Sequence, residues 1–401
     1  MKTVSDVDRL KGRVIAEVDA WREALIHLSD TIHAHPELAF QEFESATLLS
    51  RTLEENGFAV ERGVAGLETA FVATLRGKDG GPTVAFLAEY DALAGLGHAC
   101  GHNIIGTAAV GAGLAMRAAL PELTGTIQVI GTPAEEGGGG KAIMADAGVF
   151  AGVDAAMMIH PSRENLIGRL SLTAYPVAIE FFGQAAHAAG SPDLGINALE
   201  ALLLTFSHIN ALRQHLRDDA RVHGIITHGG DAPNVVPDHA AASFIVRAAD
   251  TPYATEVLEK VRACAEGAAQ ATGARLEFKQ TGPRYDARMP NPRLVSLFRD
   301  NMAALGLEVK LATGDERMGS SDIGNVSQVV PAIHPYVAIG PDDLVGHSNE
   351  FRQAAASPAG HEGLINGAKA LAMTAVDLLA VPAKVVEAKE AFDEQKKQQG
   401  G

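Results

Sequence analysis

Cysteine is scarce in this chain. Two occur in 401 residues, Cys100 and Cys264, too few to staple a fold with disulfides. Basic clusters are missing as well. The formal net charge is -16 and Lys and Arg are nowhere dense, which argues against a nucleic-acid backbone or an anionic membrane as the main partner. An anionic small substrate is not excluded, because one buried Arg can grip a carboxylate whatever the net charge. The N-terminus, MKTVSDVDRLKGRVIAEVDAWREAL, has no apolar signal core, and no stretch of about 20 uninterrupted apolar residues reads as a membrane span. These absences lead to the expectation of a cytoplasmic protein. What is present is ordinary for a soluble globular chain: 47% hydrophobic and 20% charged residues, with length enough for two domains and a large core.

Taken in order, residues 6–34 carry apolar positions at helical spacing, among them Val14, Ile15, Val18, Trp21, Leu25, Ile26 and Leu28. The helix should stop near His35, because Pro36 disfavours a helical residue before it. A second helix is expected over 42–56, closed by Gly57. Strands follow at 70–76 and 83–88, then an Ala- and Gly-rich buried helix at 104–119, then strands at 126–131 and 155–159 with a helix between them. Alternating strands and helices predict an α/β fold with right-handed crossovers and a mainly parallel sheet.

The pattern changes after Leu172. LTAYPVAIEFFGQ and AASFIVRAAD read as strands with a helix, 197–216, between them. A helix at 253–271 and a strand at 275–280 complete a small α+β unit of the β-α-β-β-α-β kind. From about residue 291 the first style resumes, with VVPAIHPYVAIG, an apolar helix over 364–379 and a polar tail expected to fray. The organisation is therefore one domain, 1–172 and 287–401, with another, 173–286, inserted into it.

Ligands bind beyond the carboxyl ends of strands in open parallel sheets, and three expected strands deliver functional groups there. Strand 83–88 runs into Glu89 and Asp91, strand 126–131 into Glu135 and Glu136, and strand 155–159 into His160. Between the first two, a glycine-rich loop presents His98, Cys100 and His102. Thiolate and imidazole two residues apart can reach one zinc- or manganese-type ion. Read alone, Cys100 is also open to a bland role as a small buried hydrophobe, or to a nucleophilic one with His98 or His102 as base. Glu135 and Glu136 cannot both point the same way on an extended backbone, so one can bind metal while the other serves as general base. His160 and His347 are equally open to a hydrogen-bonded structural role.

The segments IHAHPELAFQE, LAEYDALAGLGHACGHN, GTPAEEGGGG, MMIHP, GQAAHAAGSPDLGINALEA, NVVPDHAAASFIVRA, MGSSDIGNVSQVVPAIHPYVAIG and GHSNEF, in this order, resemble the M20 metallopeptidases and, within them, the amidohydrolase branch. That branch includes aminobenzoyl-glutamate hydrolases and an M20 domain-containing dipeptidase. The resemblance covers nearly the whole chain. It implies a zinc-peptidase-like catalytic domain and a ferredoxin-like lid that also mediates homodimerisation. Carried over by motif, it implies Cys100, His102, Glu136, His160 and His347 as ligands of two divalent ions, Zn or Mn. It implies Glu135 as general base, His187 as a lid group reaching the scissile carbonyl, Asn234 and Arg247 as holders of a substrate carboxylate, and Asp91 as a carboxylate that orients a ligand. The implied reaction is hydrolysis of an amide bond in an N-acyl amino acid or dipeptide. Glu89 departs from the commoner family pattern, which has His there, and Cys100 stands where a bridging carboxylate is usual. A metal- or ligand-binding scaffold without catalysis and a cysteine-dependent amidohydrolase are the rival readings.

Overall fold

The computed structural model describes residues 2–400, which fall into two units: 2–170 with 288–400, and Ser171–Ala287. In the first unit the expected N-terminal helix is two, Val4–Ala20 and Arg22–Ala34. Trp21, at ψ -3°, bends the chain between them. The bend allows Val7, Leu10, Val14 and Val18 of one piece and Leu25, Leu28 and Ile32 of the next to reach the same core. Thr3 starts the first piece with a capping box, its hydroxyl accepting from Asp6 N and the Asp6 carboxylate accepting from Thr3 N. The third helix, Phe43–Glu55, gives way to Gly57 at φ +91°, a conformation that favours glycine.

The central sheet has six strands in the spatial order Ala59–Arg62, Phe71–Arg76, Thr124–Gly131, Lys78–Ala88, Ala155–Met157 and Ala332–Ile333. The last four are parallel to one another. The first two, joined by a connection too short for a crossover, are antiparallel to each other, and Phe71–Arg76 is antiparallel to Thr124–Gly131 as well. The sheet is thus mixed, an α/β architecture with its parallel part where the chemistry was expected. Strand 155–159 is a correction of detail. It ends at Met157, and His160–Ser162 belongs to a separate small sheet with Leu166–Ile167, Lys310–Leu311 and Tyr336–Ala338.

Helix His102–Met116 is buried along its whole length. Its small residues allow close approach to the sheet: a Cβ on Gly113 would lie 2.6 Å from Val129 Cγ2. Helix Pro358–Ala380 packs against it and is long and apolar enough to cross a membrane, but 89% of its apolar window is buried in the fold. Such burial is that of a core helix. The tail does not fray as expected. It is helical over Pro382–Gly400 and is tied down by Val385, by buried Ala388 and by Asn291 Nδ2 donating to Ala388 O at 2.7 Å.

The second unit is a four-stranded antiparallel sheet in the order Arg275–Gln280, Thr173–Phe182, His239–Ala248, Arg221–His228. Helices Ala198–Arg213 and Thr251–Thr272 bring Leu202, Ile209, Val257 and Val261 into one core with Val177, Ile179, Phe181, Phe244 and Val246. The strand Arg221–His228 forms one edge and exposes Ile225 (67%) and Ile226 (43%).

Candidate metal centre

Three adjacent strand ends of the first unit set the site. Ala88 pairs with Gly131, and Phe86 pairs with Met157, so the residues that follow each strand emerge side by side. Glu89 and Asp91 leave the first strand fully buried. The second strand leads through Ala134, whose φ of +60° is uncommon for a residue with a Cβ, to half-buried Glu135 and Glu136. The strained turn is held from outside: Ala134 N donates to Glu42 Oε1 at 2.9 Å, while Thr69 Oγ1 donates to Glu42 Oε2 at 2.9 Å. Burial first, and the nearby Asp91 carboxylate, push Glu42 up to about 7.

His102 opens the buried helix, after Gly101 at φ +80°. Its Nδ1–H donates to Asp91 Oδ1 at 2.9 Å; burial works against a charge on the ring, but Asp91, Cys100 and Glu89 raise it well above the usual range, so Nε2 becomes a ligand when a metal displaces its proton. That Nε2 lies 3.4 Å from Glu89 Oε2 and 3.8 Å from Glu136 Oε1. The other Asp91 oxygen accepts from Glu136 N at 2.9 Å, so one carboxylate sets the direction of both neighbours. Cys100 Sγ is 3.3 Å from His160 Nε2, and His160 Nδ1 donates to Pro161 O at 2.7 Å. His347, at φ +59° with its N donating to Ala99 O at 3.0 Å, brings Nε2 within 3.5 Å of Glu136 Oε1.

Three groups of donor atoms result, each within 4.8 Å: Cys100, His102 and His160; Cys100, Glu136 and His347; and His102, Glu135 and Glu136. Cys100 is common to the first two, the arrangement a ligand shared by two ions would have. His102 Nε2 and Glu136 Oε1 are buried without a hydrogen-bond partner, a costly state unless something else binds them. One thiol, three imidazoles and a carboxylate suit a zinc- or manganese-type ion, so the donors fit divalent metal. His98 and Glu89 belong to none of the groups. His98 is buried and stacks on His33 at 6.1 Å.

Electrostatics separates the carboxylates. Burial works against ionisation of Glu89, but Lys141 and then His102 hold it below the usual range. Burial, then the charges of Glu89, Asp322 and Glu136, drives Glu135 well above it. Burial also pushes the Cys100 thiol up and lowers His160 to about 4. A neutral His160 is the form that can ligate.

Buried ion pairs stand behind this wall, and sequence reasoning missed them. Lys141, at the start of helix Gly140–Asp146, is completely buried. Its Nζ lies 2.5 Å from Glu89 Oε1 and 2.8 Å from Asp322 Oδ1, and its backbone N donates to Asp322 Oδ2 at 2.8 Å. The only hint in the sequence is a lysine inside GGGGKAIM, where an apolar helix follows at once.

His187, Asn234 and Arg247 lie in the second unit. His187 Nδ1 accepts from Ala189 N and Gly190 N at 3.2 and 3.0 Å, and Ala188 N donates to Asn234 O at 3.0 Å. His187 and Asn234 are therefore neighbours, both exposed. The imidazole proton of His187 sits on Nε2 as a donor. Arg247 alternates with core residues Val246 and Ala248 and so lies on the opposite face of the sheet, half-buried.

Residues 85–374 match the sequence pattern of peptidase family M20/M25/M40. The chain is 38% identical over 404 residues to the Xaa-Arg dipeptidase of Mus musculus, covering 97% of this chain and 94% of that protein. It is 39% identical to one of the subunits of the p-aminobenzoyl-glutamate hydrolase of Escherichia coli K12, over 65% of this chain and 58% of that one. Among solved structures, an aminobenzoyl-glutamate utilization protein from Klebsiella pneumoniae superposes with a TM-score of 0.73 at 22% identity, covering 90% of this chain and 97% of that one. A Bacillus subtilis protein described as a dinuclear metal binding peptidase of the M20 family gives 0.67 at 25% identity, over 90% and 99%.

Proposed function

This chain belongs to peptidase family M20/M25/M40, a family of metallo-hydrolases, and on that premise we propose that it hydrolyses the amide bond of dipeptides or N-acyl amino acids bearing a free carboxylate. The observation that carries the reading is the convergence of Cys100, His102, Glu136, His160 and His347 on two donor groups sharing Cys100, with Glu135 beside them. These five residues would hold two divalent ions, Zn or Mn. When bound, the metal supplies Lewis acidity for an amide carbonyl and a water acidic enough to deprotonate near neutral pH.

The rest falls to the chain's own groups. Glu135, raised by burial and neighbouring carboxylates, is suited to take a proton from the attacking water and pass it to the leaving amine nitrogen. Asp91 keeps His102 Nε2 and Glu136 directed at their task through its two hydrogen bonds. His187, with Nδ1 already committed to two backbone N–H groups, offers Nε2–H to the developing oxyanion, a role typically worth about 3 kcal/mol. Asn234 and Arg247 would bind the substrate carboxylate, Arg247 through a two-pronged grip. The name of the mouse relative makes dipeptides ending in Arg the first substrates to try. The exposed, unpaired edge of Arg221–His228 supports a homodimer formed through the second unit. A nucleophilic Cys100 is disfavoured, because its Sγ is common to two groups of imidazole and carboxylate donors, the setting of a ligand rather than of a thiol with a single base.

The test is a panel of N-acyl amino acids and dipeptides assayed with Mn or Zn, with and without chelator, on wild type and Glu135→Gln. The variant should keep its metal and lose at least a thousandfold in kcat. Near-normal turnover by the metal-replete variant would remove Glu135 as the base, and chelator-insensitive hydrolysis would sink the metal reading altogether.

A further inference from the structure

Lys141 is the one lysine fully buried among the described residues. It is gripped by two carboxylates with 0–1% exposure, Glu89 and Asp322. No step of the reaction uses it. Its position is nevertheless specific. Glu89 has one oxygen on Lys141 at 2.5 Å, while its other oxygen lies 3.4 Å from His102 Nε2, the nitrogen assigned to metal. Glu89 is therefore within reach of the ion bound there, in a pocket already carrying Asp91, Glu135 and Glu136. Glu89 belongs to none of the donor groups as it stands, but a carboxylate at that distance, left unrestrained, has a short path to an ion on Nε2.

We propose that Lys141 is a positioning residue that holds Glu89 as its counter-ion and out of metal ligation. This rests on the ligand set proposed above. Ion pairing with Lys141 fixes the carboxylate and occupies one of its oxygens, and the pull of the ammonium withdraws charge from the other. The buried positive charge also opposes a second cation placed nearby, in surroundings where screening by water is weak. Both effects weaken metal binding at the His102 side. Both also preserve electrophilicity, since an anionic ligand added to the ion would reduce its pull on a carbonyl oxygen. Asp322, which binds both the side chain and the backbone N of Lys141, keeps the ammonium from leaving.

A purely structural lysine would give the opposite sign on removal. Losing a structural strut loosens a metal site; losing this lysine should tighten it. Metal-free full-length protein is titrated with Mn and with Zn against a competing chelator, and stoichiometry is read by elemental analysis. At saturating metal Glu89→Gln should keep two ions per chain, bound more weakly because the ammonium has lost one counter-ion. Lys141→Met should bind one ion at least tenfold more tightly than wild type, with kcat reduced and KM little changed. Glu89→Gln with Lys141→Met together should return to wild-type affinity. Loss of an ion in Glu89→Gln at saturating metal would overturn the proposal, as would equal or weaker binding in folded Lys141→Met. If the single lysine variant does not fold, Lys141→Arg, which keeps the charge, should match wild type in affinity, and tighter binding by it would overturn the proposal. A wild type that takes up no tightly bound ion would instead defeat the ligand assignment itself, an outcome distinct from any of these.

Discussion

Asp91→Ala makes a demanding test of the site's construction, because one side chain orders two of the proposed ligands at once. In the folded protein its two oxygens accept from His102 Nδ1 and Glu136 N, each at 2.9 Å, and it is 1% exposed. Alanine leaves both donors unpaired, His102 Nδ1 fully buried and Glu136 N partly so. At ~1–3 kcal/mol for each such group, the metal-free protein should lose ~2–6 kcal/mol, the lower end applying if water enters the gap. His102 would also lose the partner that orients its ring, and the Glu136 turn its anchor. Partners of this kind typically cost about 10–100-fold in metal affinity when removed. Asp91→Asn separates the effects. Its one carbonyl can serve one donor, but its amide faces the other, so about half the stability loss should return while affinity stays depressed. Urea unfolding of the metal-free proteins reads the first quantity, and chelator competition the second. An Asp91→Ala protein within about 0.5 kcal/mol of wild type, with affinity within about twofold, would refute the claim that Asp91 orders the site.

Two further outcomes follow from features away from the site. Glu122 receives Arg9 through two hydrogen bonds, at 2.6 and 3.1 Å, and pairs with Arg13; these partners, the Arg9 hydrogen bond first, lower it to about 2. A depressed carboxylate stabilises the fold above its ordinary value near 4.5 and loses that contribution as pH falls towards 2. Glu122→Gln should therefore flatten the acid limb of the urea midpoint between those values; parallel curves for the two proteins would count against the pairing. Ile225→Lys, at the exposed edge strand, should shift the species seen by sedimentation from dimer towards monomer while circular dichroism stays unchanged, and an unaltered dimer would place the interface elsewhere.

The strands carrying the chemistry were legible because each is a short apolar run that ends abruptly in charge, a pattern local enough to read in one window. The bend at Trp21 was not, since the helical period continues in phase across it. That His160 lies in a different sheet from Ala155–Met157 was not legible, because AAMMIHPS has no break in hydrophobicity; its division depends on a partner, Tyr336–Ala338, far along the chain. The supports of the site were the least visible. Glu42 reaches Ala134 across 92 positions and Lys141 reaches Asp322 across 181, and no local period records such a pairing. A lysine after four glycines looks like a solvated turn until the fold closes over it.

The insertion of Ser171–Ala287 into the first unit also fixes an order of events during synthesis. Cys100, His102, Glu136 and His160 leave the ribosome before the entire second unit is made, and His347 only after it. Helix Pro358–Ala380, which packs over His102–Met116, is later still. A growing chain thus carries a thiol and two imidazoles with no complete cage and no covered core. On the proposed ligand set, a product truncated before His347 keeps the Cys100, His102 and His160 group and lacks the one completed by His347.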